Sequence, residues 1–92
     1  MNLVAVAAAV NASGTTGTTD IQVHNVTDAN DMLSTVMTID SGETDTSTAA
    51  TAAVINASND DVATGDIIRI DVDAVSTTPP TGLVVELQFR LP

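Results

Sequence analysis

The 92 residues allow one domain at most, and a chain this short buries only about 60 to 65% of the surface that its unfolded form exposes. Two arginines and no lysine stand against twelve acidic residues. The resulting net charge of −10 excludes the cationic neutralisation on which nucleic-acid binding runs and disfavours anionic membrane surfaces.

With no cysteine there is neither a disulfide nor a thiolate-bound zinc, and Phe89 is the only aromatic residue. The core is therefore thin, and stability has to come from β pairing and from association.

Met1 to Val10 reads MNLVAVAAAV, a small-residue apolar run closed by the turn residues Asn11 to Gly14. It lacks the basic start of a signal peptide, and about eight apolar residues fall far short of the roughly 20 that cross a bilayer. The run predicts a buried strand, followed by a Ser/Thr/Gly loop from Ser13 to Thr19. Asp20 to Val26 alternates, with Ile21 and Val23 on one side and Gln22 and His24 on the other, as in a half-buried strand. Thr27 to Asp31 is its polar exit. Leu33 to Asp40 predicts a third strand, with Leu33, Met37 and Ile39 on one face and Ser34, Thr38 and Asp40 on the other.

Ser41 to Thr51 is the longest polar stretch and reads as a loop or edge crossover. In Ala49 to Ala57 the alanines suit a helix, whereas the threonines, Val54 and Ile55 suit a strand, and a strand is expected. Asn59, Asp60 and Asp61 are placed to cap one helical turn through Val62 and Ala63, before a turn at Gly65-Asp66. Ile67 to Val75 gives the clearest alternation, with Ile68, Ile70, Val72 and Ala74 inward and Arg69, Asp71 and Asp73 outward. After the Pro-containing segment Thr77 to Gly82, Leu83 to Leu91 alternates again, with Leu83, Val85, Leu87, Phe89 and Leu91 inward. The last two strands are expected to pair as a hairpin. Taken together the pattern predicts an all-β fold spanning residues 1–92. It is a small antiparallel β-sandwich of five to six strands with jelly-roll or Greek-key connections.

Sites of chemistry are hard to assemble from these residues. His24 is the only histidine, with no second histidine or cysteine to share a metal, and no Gly-x-Ser-x-Gly elbow presents a serine. Asp60, Asp61, Asp66, Asp71 and Asp73 supply carboxylates of the kind calcium takes, but their spacing does not form a 12-residue EF-hand loop. They are expected to cap turns and to flank Arg69. One phenylalanine offers no stacking platform for a sugar beside paired carboxylates. The chain is therefore read as a non-enzyme without catalytic residues, metal or cofactor. Arg69 and Arg90 are the only cations, expected to pair with acidic residues and, at a subunit boundary, to set register between like-charged neighbours.

Several stretches resemble a β-sandwich module of bacteriophage virion proteins, found in capsid decoration and cement proteins, head fibres and tail appendages. They are Gly17 to Asn25 (GTTDIQVHN), Met32 to Thr35, Thr38 to Thr44, Asp60 to Asp66 (DDVATGD), Ile70 to Val75 (IDVDAV) and Gly82 to Leu87. The resemblance implies a structural role on the outer capsid surface, with the phage major capsid protein as partner. The alternative is a tail-fibre or receptor-binding module. Such modules often carry further strands before the counterpart of Met1, so a neighbour is expected to complete the sandwich. The unit is expected to be a homotrimer, or at least an oligomer, because a core this small rarely supplies more than about 3 to 5 kcal/mol. Leu3, Val4 and Val6 of the first strand, Val84 of the last, and Arg69 and Arg90 are the candidate contact residues.

Overall fold

Two long alternating segments, one near each end of the chain, pair with each other over almost their full length. In the computed structural model, which describes residues Met1 to Leu91, β1 (Asn2–Ala9) runs antiparallel to β8 (Val84–Arg90), from Asn2↔Arg90 to Ala9↔Val84. Further along, β2 (Thr19–Asn25) runs antiparallel to β7 (Ile68–Ala74), from Asp20↔Ala74 to Asn25↔Ile68. The segments between them stay joined through the bridges Ala12↔Thr81 and Thr15↔Thr78. The result is one bent ribbon that begins in one layer and ends in the other.

The bend depends on close approach of the two crossing segments. A Cβ on buried Gly14 would lie 2.6 Å from the Ser76 hydroxyl oxygen, and one on Gly82, at φ 72°, would lie 2.6 Å from Cβ of Asn11. Buried Ser76 donates its hydroxyl to the Gly17 carbonyl at 3.2 Å, which ties the crossing to the start of β2.

The chain returning from β2 is one strand broken in the middle. β3 (Asn30–Asp31) and β5 (Met37–Ile39) both pair with β2, whereas β4 (Leu33–Thr35) leaves it for β6 (Val54–Ile55). Gln22 fills the gap. Its Oε1 accepts the N–H of Leu33 at 3.1 Å and that of Val23 at 2.9 Å, and its Nε2 donates to the Leu33 carbonyl at 3.0 Å. The side-chain amide thus stands in for a missing strand, satisfying backbone groups that would otherwise be buried unpaired.

One core lies between the layers. Leu3, Ala8 and Val10 come from the β1 side, Ile21, Val23, Met37 and Ile39 from the β2 side, and Met32 and Leu33 from the broken strand that returns from β2. All these residues are aliphatic, as the composition requires.

The all-β expectation is met, as eight strand segments and no helix among the described residues. Several details differ. The last two long strands do not form a hairpin. β7 and β8 lie in different sheets, because Thr78 and Thr81 pair with the β1–β2 crossing and carry the chain from one layer to the other. Asn59 to Ala63 makes no helical turn; Leu3 and Val62 take up backbone partners in Asp60 and Met1, which draws this segment alongside β1. The strand expected from Ala49 to Ala57 shrinks to Val54–Ile55. Gln22 is buried instead of solvated. Leu83 and Leu91, expected inward, are exposed, the latter at 76%.

Candidate assembly interface

The ribbon has one supported side and one open side. β1 and β2 are flanked on their far sides by the 45–46 and 60–62 segments and by β3 and β5, respectively. Among the described residues nothing pairs with the outer edge of β7 or of β8. Such an edge is a row of unpaired N–H and C=O groups, a template for another strand.

Which backbone groups of β7 face outward follows from the hydrogen bonds around it. Val26 donates to the Ile67 carbonyl at 2.8 Å, one step beyond the Asn25↔Ile68 pair, and the Val23 carbonyl faces the other way, accepting from Met32 at 2.8 Å. Antiparallel pairs alternate between hydrogen-bonded and non-hydrogen-bonded. Arg69 and Asp71 therefore turn their N–H and C=O toward β2, while Ile68, Ile70 and Val72 turn theirs to the open edge.

The faces of β7 are set by cross-strand pairing. Ile70 lies opposite Val23 and Val72 opposite Ile21, so both point to the core side of the sheet. Yet Ile21 and Val23 are 0% exposed, while Ile70 is 38% and Val72 46% exposed. The core is uncovered along this edge, which corrects the expectation that both residues are interior. On the opposite face Arg69 holds Asp71 through two hydrogen bonds, Nε to Oδ1 at 2.6 Å and Nη2 to Oδ2 at 3.1 Å. This contact holds the Asp71 carboxyl below its ordinary range and raises Arg69. His24, opposite both Arg69 and Asp31, has Nδ1 2.7 Å from Asp31 Oδ1, and only 20% of its side chain is exposed. The lone histidine is thus a partnered member of a charged row, not a freely solvated residue.

The remaining candidates scatter. Leu3 is 1% exposed and so is not available as a contact in the folded chain, whereas Val6 is half-buried, packed in part against the core. Val84, at 65%, is exposed, and so is Val4, at the β1 bulge, although its segment is expected to be a buried strand. Arg90 is exposed and forms no ion pair among the described residues, contrary to expectation. Asp60 and Asp61 lie beside the start of β1, and Asp73 sits in the β7 bulge. Among the described residues no three His, Cys, Asp or Glu side chains are grouped as a metal site would need.

No family model, curated protein or solved structure matches the chain.

Asp66 has a structural duty that sequence reading reduced to closing a turn. Its Oδ2 accepts from the Ala63 N–H at 2.9 Å and from the amide of Asn25 at 3.1 Å, pinning the turn before β7 to the end of β2. Those bonds, the Ala63 N–H first, hold its pKa below the ordinary 3.8. A depressed carboxylate contributes stability above its unfolded pKa and loses it as pH falls through the folded value. Asp66→Ala is therefore expected to lower the melting temperature by a few degrees at pH 7. Thermal melts should show the gap between wild type and variant closing below pH 3.8. A gap independent of pH would show that the turn does not rest on the charge.

Proposed function

We propose that the chain is a non-enzymatic structural protein of a bacteriophage virion, a decoration or cement module that binds the outside of the capsid and stabilises it. The observation that carries an assembly role is the open side of the ribbon. Two unpaired strand edges, with Ile70 and Val72 uncovered on the core side of β7, make a module that gains stability when a neighbour covers it. The virion setting rests on the resemblance of the stretches from Gly17 to Leu87. An acidic skin of net charge −10 suits contact with a basic or apolar patch on the major capsid protein and repels nucleic acid.

Co-sedimentation of purified protein with shells lacking it, followed by quantitative mass spectrometry, tests the reading. A cement module is expected at on the order of hundreds of copies per particle, since a symmetric shell repeats each contact at every equivalent position. It should also raise the temperature at which the shells open. Binding to host cells, with few copies confined to one vertex, would instead support the tail-fibre alternative. Binding to neither would remove both.

A further inference from the structure

We propose that the open edge of β7 is a self-recognition surface. Two copies of the chain pair there, β7 to β7, antiparallel about a two-fold axis through Ile70. The proposal deepens the assembly reading by naming the first partner as a second copy.

Three observations meet at Ile70. The regular part of β7 runs from Ile68 to Val72, bounded by the bulge at Asp73, and Ile70 is its middle residue. Ile68, Ile70 and Val72 present their N–H and C=O outward, so a copy laid antiparallel with Ile70 opposite Ile70 gains about six backbone hydrogen bonds. Opposite residues share a face, so Ile68 meets Val72 of the second copy and the uncovered apolar stripe becomes continuous across the junction.

Charge then selects this alignment from its neighbours. With the axis on Ile70, Arg69 lies opposite Asp71 of the second copy, and the reciprocal pair forms on the other side of the axis. Both fall in non-hydrogen-bonded positions, where cross-strand side chains approach most closely. Moving the axis to Arg69 sets two guanidinium groups face to face, and moving it to Asp71 does the same with two carboxylates; like charges directly opposite are destabilising. The intrachain contact at 2.6 Å already orients Arg69 toward Asp71 on the correct face. β8 is a weaker choice because its inward residues Val85, Leu87 and Phe89 are better covered than Ile70 and Val72. A two-fold junction makes dimers, not the trimer expected from sequence.

Analytical ultracentrifugation of the full chain across a dilution series is the test. It is run at about 0.15 M salt, where screening over about 8 Å limits the repulsion between two acidic chains. Wild type should sediment as a dimer that dissociates on dilution. Ile70→Pro removes an outward N–H without touching the β2 ladder, so it should yield a folded monomer by circular dichroism. Arg69→Asp and Asp71→Arg should each weaken pairing by about tenfold or more, because each sets like charges opposite one another twice. Their equimolar mixture restores both opposite-charge pairs and should recover wild-type affinity to within about threefold. Loss in both single variants together with this rescue is expected only if residue 69 faces residue 71, because in a 69-to-69 or a 71-to-71 register one of the two substitutions leaves the facing pair untouched. A wild type that stays monomeric or trimeric at every concentration overturns the proposal. So does pairing that survives Ile70→Pro but is lost in Leu87→Pro, or a mixture without rescue. Shell binding measured on the same samples separates the two readings: a dimer that ignores shells keeps this junction and removes the capsid role.

Discussion

Ile21→Asp is expected to leave no folded protein, whereas Ile70→Asp, in the strand alongside, is expected to fold. Ile21 is 0% exposed, and none of the core residues around it can pair with a carboxylate. An unpaired buried charge costs several kcal/mol, comparable with the whole stability of a domain this small. Ile70 shares the same sheet face but keeps 38% of its surface in solvent, so a carboxylate there can reach water. Far-UV circular dichroism and urea titration of the two variants side by side check the pair. Equal loss of structure in both would show that β7 is interior and that the open edge does not exist in solution.

The second large effect is expected at Gln22. Gln22→Ala strands the N–H and C=O of Leu33 where no other group is placed to meet them. Each buried backbone group left unsatisfied costs about 1 to 3 kcal/mol, so a loss near 3 kcal/mol is expected. In a domain of this size that corresponds to roughly 15 °C in melting temperature. Gln22→Glu separates the hydrogen bonds from the packing. Ionised, the introduced carboxylate cannot donate to the Leu33 carbonyl and carries a buried charge, so the variant should be less stable than Gln22→Ala at pH 7. Burial raises the pKa of such a group, and the neutral acid can donate as the amide does. Its stability should therefore rise as pH falls toward 5, the reverse of Asp66. Urea titrations at the two pH values measure this, and a pH-independent variant would contradict the amide-bridge role.

How much of this was legible in the sequence differs from element to element. The strands at Asn2–Ala9, Thr19–Asn25, Ile68–Ala74 and Val84–Arg90 were readable from the period of two, since alternation reports a pleated strand with two unlike faces. Ile21, Val23, Met37 and Ile39 were readable as core for the same reason. Gln22 was not. Alternation places it on the outer face, and only the detour of Leu33–Thr35 toward Val54 brings backbone over it and makes it a buried bridge. The open edge was equally hidden, because Ile70 and Val72 carry the same signal as Ile21 and Val23.

The sequence by itself determined an acidic all-β chain with an aliphatic core, because charge, side-chain volume and the two-residue period are local properties that need no partner to be read. Which strand lies beside which was decided only in the tertiary structure. The two prolines and turn residues between β7 and β8 fit a hairpin loop, but Thr78 and Thr81 are drawn to the β1–β2 crossing instead. That choice places β7 beside β2 and β8 beside β1, and so leaves one side of the ribbon open. Exposure at Ile70 and Val72 follows from that placement: burial depends on how many neighbours a strand has, and no pattern within the strand records it.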